Sequence, residues 1–281
     1  VMKQLLIFGL GYTAQRIAAR LQALGWRIDA TGSAGNLPFE DEASVLQALR
    51  DADRVLSSVP PDDTDPVLQR YGEALRPGRQ RLAYLSSTGV YGDTQGAWVD
   101  ETAPVGGGRR SARTQADTAW LALGAQVFRL PGIYGDGRSA LDRVRNGTAH
   151  RLALPGQVFS RIHVEDAAAG VVAALTADGV PPGAYNLADD LPSSQNAVIE
   201  EACRLLGKEP PPLETLEQAA LSPAARAFYS ERRRIANGKA RRMLGWQPAY
   251  PSYREGLRAL SATIMPDKAS TAPPPASSDQ R

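Results

Sequence analysis

Residues 5–19 read LLIFGLGYTAQRIAA. Four apolar residues run into Gly9, Gly11 and Ala14 follow at the spacing G-x-G-x-x-A, and Ile17, Leu21 and Leu24 then recur at helical intervals. This order reads as a strand, a tight turn and a helix opening onto a nucleotide. Gly9 lets the chain turn, the missing side chain at Gly11 lets backbone N–H groups approach a pyrophosphate, and Ala14 lets helix and strand pack closely. The positive end of the helix then faces the phosphates. Tyr12 and Thr13, inside the turn, are candidate cofactor contacts with Gly9, Gly11 and Ala14.

The pattern repeats along the chain. Further strands are expected at 26–31, 55–59, 82–86 and 127–130, and helices at 66–76 and 111–123. Alternating βαβα specifies a parallel sheet with helices on both faces. The expected fold is α/β, a Rossmann-type doubly wound parallel sheet with a small C-terminal substrate lobe. Ligands sit at the carboxyl ends of such strands. Those ends carry Gly9 to Ala14, Ser33, Ser58 to Pro61, Ser86 to Tyr91, and Pro131 to Gly135, so Ser58, Val59, Pro60, Ser86, Pro131 and Ile133 join the cofactor candidates. Later helices are expected at 164–177, 194–206, 238–244 and 252–264, with a short strand at 185–187. The expected organisation is a nucleotide-binding domain over 1–178, with 136–160 contributing to the cleft, and a substrate lobe over 179–265 partly interleaved with the sheet. Residues 266–281, rich in Pro, Ala and Ser, are expected to be disordered.

Bulk properties narrow the function. With 281 residues, 43% of them apolar, the chain can bury a large core. Lys and Arg total 32 against 30 Asp and Glu, a net charge of +2, so no strong field attracts nucleic acid or an anionic membrane. Cys203, the one cysteine, excludes an intramolecular disulfide and reads as a small buried residue. Two histidines, His150 and His163, exclude a multi-His metal site, so no metal is expected. No stretch reaches the ~18 apolar residues of a membrane span, and the expected location is the cytoplasm. The expected partner is a small-molecule substrate, and a homodimer is allowed.

Several segments together carry a resemblance: the glycine turn, LSSTGVYG (85–92), VFRLPGIYG (127–135), FSRIHVEDAA (159–168), YNLADD (185–190) and LGW (244–246). In this order they resemble an atypical member of the extended short-chain dehydrogenase/reductase superfamily, the NAD-dependent epimerase/dehydratase type. The resemblance implies a catalytic Ser/Thr at the end of the fourth strand, which falls on Ser87, with Thr88 as the alternative. Without it, Ser86 and Ser87 read as strand-end caps. It also implies a Y-x-x-x-K on the next helix. Counting from E101-T102-x-P104, those positions fall on Arg109 and Arg113, and residues 99–126 contain no tyrosine. A family tyrosine works because neighbouring positive charge lowers its pKa from ~10. Arginine, with a pKa above ~12, cannot release a proton at neutral pH. Arg113 can still hold the cofactor ribose. Tyr91 and Tyr134 lie at the same sheet edge, where each reads either as loop packing or as a displaced proton donor.

Cofactor choice turns on the end of the second strand, where an NAD-selective unit carries Asp or Glu for the ribose 2′-OH. Here that position is Gly32, followed by Ser33, and Asp29 comes three residues early. NADP(H) is therefore favoured over NAD(H). Candidate substrate residues are Arg109, Arg138, Arg161 and His163, with Arg143, Arg145 and Arg232 to Arg234 nearby; the resemblance implies arginines that bind a nucleotide-sugar diphosphate. His163 also reads as a residue opening a helix. The resulting function is an NAD(P)-dependent oxidoreductase or epimerase acting on a small or sugar-derived carbonyl or alcohol. The alternative is a cofactor-sensing protein without turnover.

Overall fold

A computed structural model describes residues 2–75, 80–109 and 111–264. The expected disordered tail lies outside the described residues. Apolar runs bounded by turn residues form six strands: β1 (Gln4–Phe8), β2 (Arg27–Ala30), β3 (Arg54–Ser57), β4 (Arg81–Ser87), β5 (Gln126–Leu130) and β6 (Gly183–Asn186). They make one parallel sheet in the order β6-β5-β4-β3-β1-β2. Side chains alternate between its faces, as the two-residue period requires. Leu5 and Ile7 pack in one core and Leu6 and Phe8 in the other. Strands buried on both sides must be apolar at nearly every position, which is why LLIF shows no alternation.

One face is covered by α1 (Tyr12–Ala23) and α6 (Val164–Thr176), which present Ile17, Leu21, Val171 and Leu175 to the sheet. Leu24, expected on that stripe, caps the end of α1 instead and is exposed. The other face is covered by α2 (Glu42–Asp51), α3 (Pro66–Leu75) and α4 (Ser111–Ala122) through Leu49, Tyr71 and Trp120. Chain direction reverses between β1 and β3: from β1 the connection runs outward to β2, and the rest of the sheet grows the other way. This is the switch point at which such sheets bind ligands.

A third core joins α5 (Ala140–Arg145), α7 (Gln195–Leu206) and α10 (Tyr253–Ile264) through Leu141, Ile199, Cys203 and Leu257, with α8 (Pro223–Tyr229) and α9 (Gly238–Leu244) between α7 and α10 in sequence. Residues 134–144 therefore pack with the C-terminal helices, while β6 returns to the main sheet. The two parts are interleaved. Among the described residues, no helix is long and apolar enough to cross a membrane.

Candidate active site

At the switch point, Gly9 adopts φ +84°, a conformation that disfavours a side chain, and a Cβ there would lie 2.9 Å from Val59 Cγ2. Its N–H donates to Thr31 Oγ1 at 3.1 Å, and Ser58 Oγ donates to its carbonyl. Gly11 is the N-cap of α1 and supplies no side-chain cap, so the helix opens with backbone donors that no capping side chain satisfies. A Cβ on Gly11 would meet nothing within 4 Å. The turn borders a cleft of about 440 Å³ lined by Gly9, Gly11, Gly32, Ser33, Ser58, Val59, Pro60 and Phe39. A bare helix N-terminus beside open space has the chemistry for a pyrophosphate, so the residues present fit a dinucleotide. Phe39, absent from the sequence reading, borders this cleft and packs edge-on against Phe8 and Tyr71.

Two cofactor candidates have different surroundings from those expected. Thr13 is buried, so only its backbone can serve. The Tyr12 ring lies between the Arg16 and Arg138 guanidinium groups, 4.0 and 4.3 Å from its centroid, and its hydroxyl donates to the Asp136 carbonyl at 2.9 Å. That side chain fastens the 135–138 loop to α1.

The end of β2 explains the missing ribose carboxylate. Asp29 is buried and accepts from Gln4 Nε2 at 2.7 Å and Asn36 Nδ2 at 3.0 Å. Gly32 has φ +103°, and its Cβ position lies 3.2 Å from Leu10 N. A carboxylate cannot be installed at Gly32 without strain. Ser33 is exposed beside it.

The end of β4 separates three neighbouring hydroxyls. Ser86 is buried, and its hydroxyl donates to Asp117 Oδ2 at 2.6 Å. Asp117 in turn receives Arg129 Nη2 at 2.7 Å and Nε at 3.1 Å, and Arg129 Nη1 donates to Tyr91 Oη at 3.0 Å. Ser87 Oγ accepts from Gly89 N at 3.0 Å and caps the 3₁₀ turn Thr88–Tyr91. Thr88 lines the second cleft, and its hydroxyl has no hydrogen-bond partner among the described residues.

The tyrosines are tied into structure. Tyr91 Oη donates to Asn186 Oδ1 at 2.7 Å, and burial raises its pKa despite Arg129. Tyr91 is thus a buried brace between Arg129 and Asn186. Burial also raises Tyr134, whose ring meets His163 edge-on at 5.2 Å. Arg113, in the first turn of α4, donates from Nη1 to Tyr84 Oη at 2.7 Å and to the Leu85 carbonyl at 3.2 Å. Its guanidinium is held at the carboxyl end of β4. Arg109 pairs with Glu231 at 3.3 Å, and its guanidinium lies 5.7 Å from the centroid of the Phe228 ring. Glu231 also holds Arg233 at 2.9 Å.

This second cleft, about 410 Å³, runs from Thr88, Gly132 and Ile133 to α5 and α7, and Arg138, Arg143, Arg161 and Arg233 line it. Arg161 is buried, and desolvation pulls its pKa down to about 10. His163 is not among the lining residues. It caps α6 through Nδ1, which accepts from Glu165 N at 3.2 Å, and burial lowers its pKa. This is the helix-opening position that the sequence also allowed. Pro131 and Ile133 stand at the carboxyl end of β5, and Ile133 reaches the cleft.

Next to Arg161, burial pushes the Asp189 carboxyl up to about 8, and its Oδ2 has no partner among the described residues. Unfolded, the group titrates near ~4. The folded state therefore binds the extra proton across that interval, and stability from this site falls as the pH rises from roughly 4 to about 8. Asp189→Asn is expected to flatten the decline of melting temperature over that range; an unaltered slope would place the titration elsewhere.

No family model matches the chain. Protein YeeZ of Escherichia coli (strain K12) is 28% identical over 244 residues, 75% of this chain and 86% of the relative. A 3-diazoavenalumate denitrifying reductase from Streptomyces sp is 35% identical over 150 residues, 48% of this chain and 46% of the relative. A functionally unknown conserved protein from Silicibacter pomeroyi DSS superposes with a TM-score of 0.81 at 38% identity, covering 94% of this chain and 99% of that one. The human epimerase family protein SDR39U1 with NADPH superposes with a TM-score of 0.72 at 17% identity, covering 92% and 99%. These superpositions span the sheet and the C-terminal helices alike.

The chain shares its fold with structures of NAD-dependent epimerase/dehydratase and short-chain dehydrogenase/reductase proteins. That fold accounts for the common edge on which the glycine turn, Thr88 and Ile133 stand. It does not dictate the lining of the second cleft. Sequence reading missed Gln195, Phe228 and the Asp117–Arg129 pair: Gln195, Phe228 and Asp117 sit in no recognisable motif, and Arg129, inside VFRLPGIYG, gives no sign of its partner. Arg143 had a local signal: Ser139 and Asp142 form a capping box that starts α5.

Proposed function

We propose that the chain is a nicotinamide-dinucleotide-dependent oxidoreductase of the epimerase/dehydratase type, acting on a small or sugar-derived carbonyl or alcohol. The observation that carries this is the placement of both clefts on one sheet edge, the glycine cradle at β1 and β3 and the Thr88–Ile133 mouth at β4 and β5. A bound nicotinamide would supply or accept the hydride. Gly9 to Ala14 hold the pyrophosphate with backbone donors, and the Thr88 hydroxyl polarises the substrate oxygen. Arg113, in the place the superfamily gives to lysine, keeps positive charge at the end of β4 without exchanging a proton. With Arg109 drawn to Glu231 and Tyr91 braced, water carries the proton. The SDR39U1 structure with NADPH and the reductase relative support the cofactor class and the redox chemistry.

NADP(H) is the preferred cofactor, because Asp29 is turned inward and no carboxylate is among the described residues that line the cleft beside Ser33. Fluorescence titration with NADPH and NADH at fixed salt tests the reading, and a panel of carbonyl compounds then tests turnover. Ser33→Asp, on an exposed loop, is expected to move preference toward NADH by at least about tenfold through repulsion of the phosphate. Tighter NADH binding by the unmodified chain would reverse the assignment. Binding without turnover on any carbonyl would favour the cofactor-sensing alternative, which the tied-up tyrosines support.

A further inference from the structure

The floor of the second cleft is rich in donors and poor in negative charge. Arg143 lines it, and its guanidinium has neither a hydrogen bond nor an ion pair among the described residues. Arg161, 8% exposed, donates to the Phe159 carbonyl at 3.2 Å, the Ser193 carbonyl at 2.9 Å and Gln195 Oε1 at 3.2 Å, all of them neutral acceptors. Gln195 is also 8% exposed. A guanidinium can only donate, so Oε1 must face Arg161 and Nε2 is left as a buried donor without a partner.

The remaining charges do not compensate. Among the described residues lining the cleft, Asp142 is the one carboxylate, and its Oδ2 accepts from both the Ser139 N–H at 2.8 Å and the Ser139 hydroxyl at 2.7 Å. Asp189 stands near Arg161, but burial favours its neutral form. Arg233 is paired with Glu231, and Arg138 is stacked on Tyr12. Holding one buried guanidinium on neutral acceptors alone, a second without any acceptor and a buried amide donor without a partner is costly, and an anion that reached them would relieve that cost. The wall beside them is apolar: Phe159 and Phe228 stack with centroids 4.6 Å apart, and both line the cleft.

We propose that this floor is the seat for a compact terminal oxyanion, a carboxylate or a phosphate monoester, gripped by Arg143, Arg161 and Gln195, with the body of the substrate against Phe159 and Phe228. The inference rests on the reading of this cleft as the substrate site and names the substrate class. A diphosphate between two sugar-sized groups would have to be buried along its whole length in about 410 Å³, whereas an end group needs only to reach the floor.

The test uses the full chain without dinucleotide and three probes, benzoate, phenyl phosphate and the neutral benzamide, titrated calorimetrically at matched ionic strength. At least one acid is expected to bind saturably and at least about tenfold more tightly than benzamide. The acid that binds more tightly identifies the source of the oxyanion. Gln195→Glu keeps an acceptor for Arg161 but turns the free donor into an anion, and Arg143→Gln removes a guanidinium that makes no hydrogen bond or ion pair among the described residues. Each is expected to weaken the acid at least about tenfold while leaving NADPH affinity unchanged. Should Gln195→Glu fail to fold, Arg143→Gln decides alone. Equal binding of benzamide and benzoate, no saturable binding of either acid, or undiminished binding in the folded variants would overturn the proposal. Acid binding without any NADPH binding would keep the oxyanion seat and remove the dinucleotide reading; NADPH binding without acid binding would do the opposite.

Discussion

Gly11→Val is expected to leave the chain folded and to abolish dinucleotide binding. Its backbone sits at φ −87° and ψ −167°, an extended conformation that valine adopts readily, and a Cβ there touches nothing within 4 Å. Glycine is a better N-cap than valine, so a stability loss of roughly 1 kcal/mol is expected. In the complex the branched side chain would occupy the space through which the backbone donors of α1 reach the pyrophosphate. A loss of at least about 100-fold in affinity, roughly 2.7 kcal/mol, should follow. Gly9→Val would not serve, because at φ +84° and 2.9 Å from Val59 it would strain the fold itself. NADPH fluorescence titration and a thermal melt of the same variant separate binding from folding. Retained affinity would show that the dinucleotide lies elsewhere.

Thr88→Val should lower turnover by ~10²–10³, the usual cost of losing one donor aimed at developing charge. The substitution keeps the shape of a buried side chain and removes the hydroxyl that lines the cleft. Ser87→Ala removes a cap on the 3₁₀ turn, so its effect should fall on stability, about 1 kcal/mol, with turnover nearly retained. Tyr91→Phe leaves Asn186 without its donor and takes one acceptor from Arg129, so it too should destabilise by about 1–3 kcal/mol. Steady-state rates on whichever carbonyl substrate is found, with melts of each variant, distinguish these roles. A collapse of rate in Tyr134→Phe with an active Thr88→Val would assign proton transfer to Tyr134 and displace water from the mechanism.

The order of strands and helices was legible because its signals are local. An apolar run ending in glycine, a helical stripe and a turn cluster each describe a few neighbouring residues, and their alternation leaves little freedom to the sheet. By themselves, residues 5–19 determined the first strand, the glycine turn and the helix after it, and the βαβα rhythm determined the parallel sheet. Only the tertiary structure decided which of Ser86, Ser87 and Thr88 faces the cleft, since neighbouring residues on a strand point to opposite faces and Ser86 meets a helix residue thirty-one positions away. It also decided that Asp29 serves Gln4 and Asn36 instead of a ribose, and that His163 caps a helix. The donor-rich floor was beyond any local reading. Arg143, Arg161 and Gln195 come from three separate elements and acquire a common chemistry only when the fold brings them to one cleft.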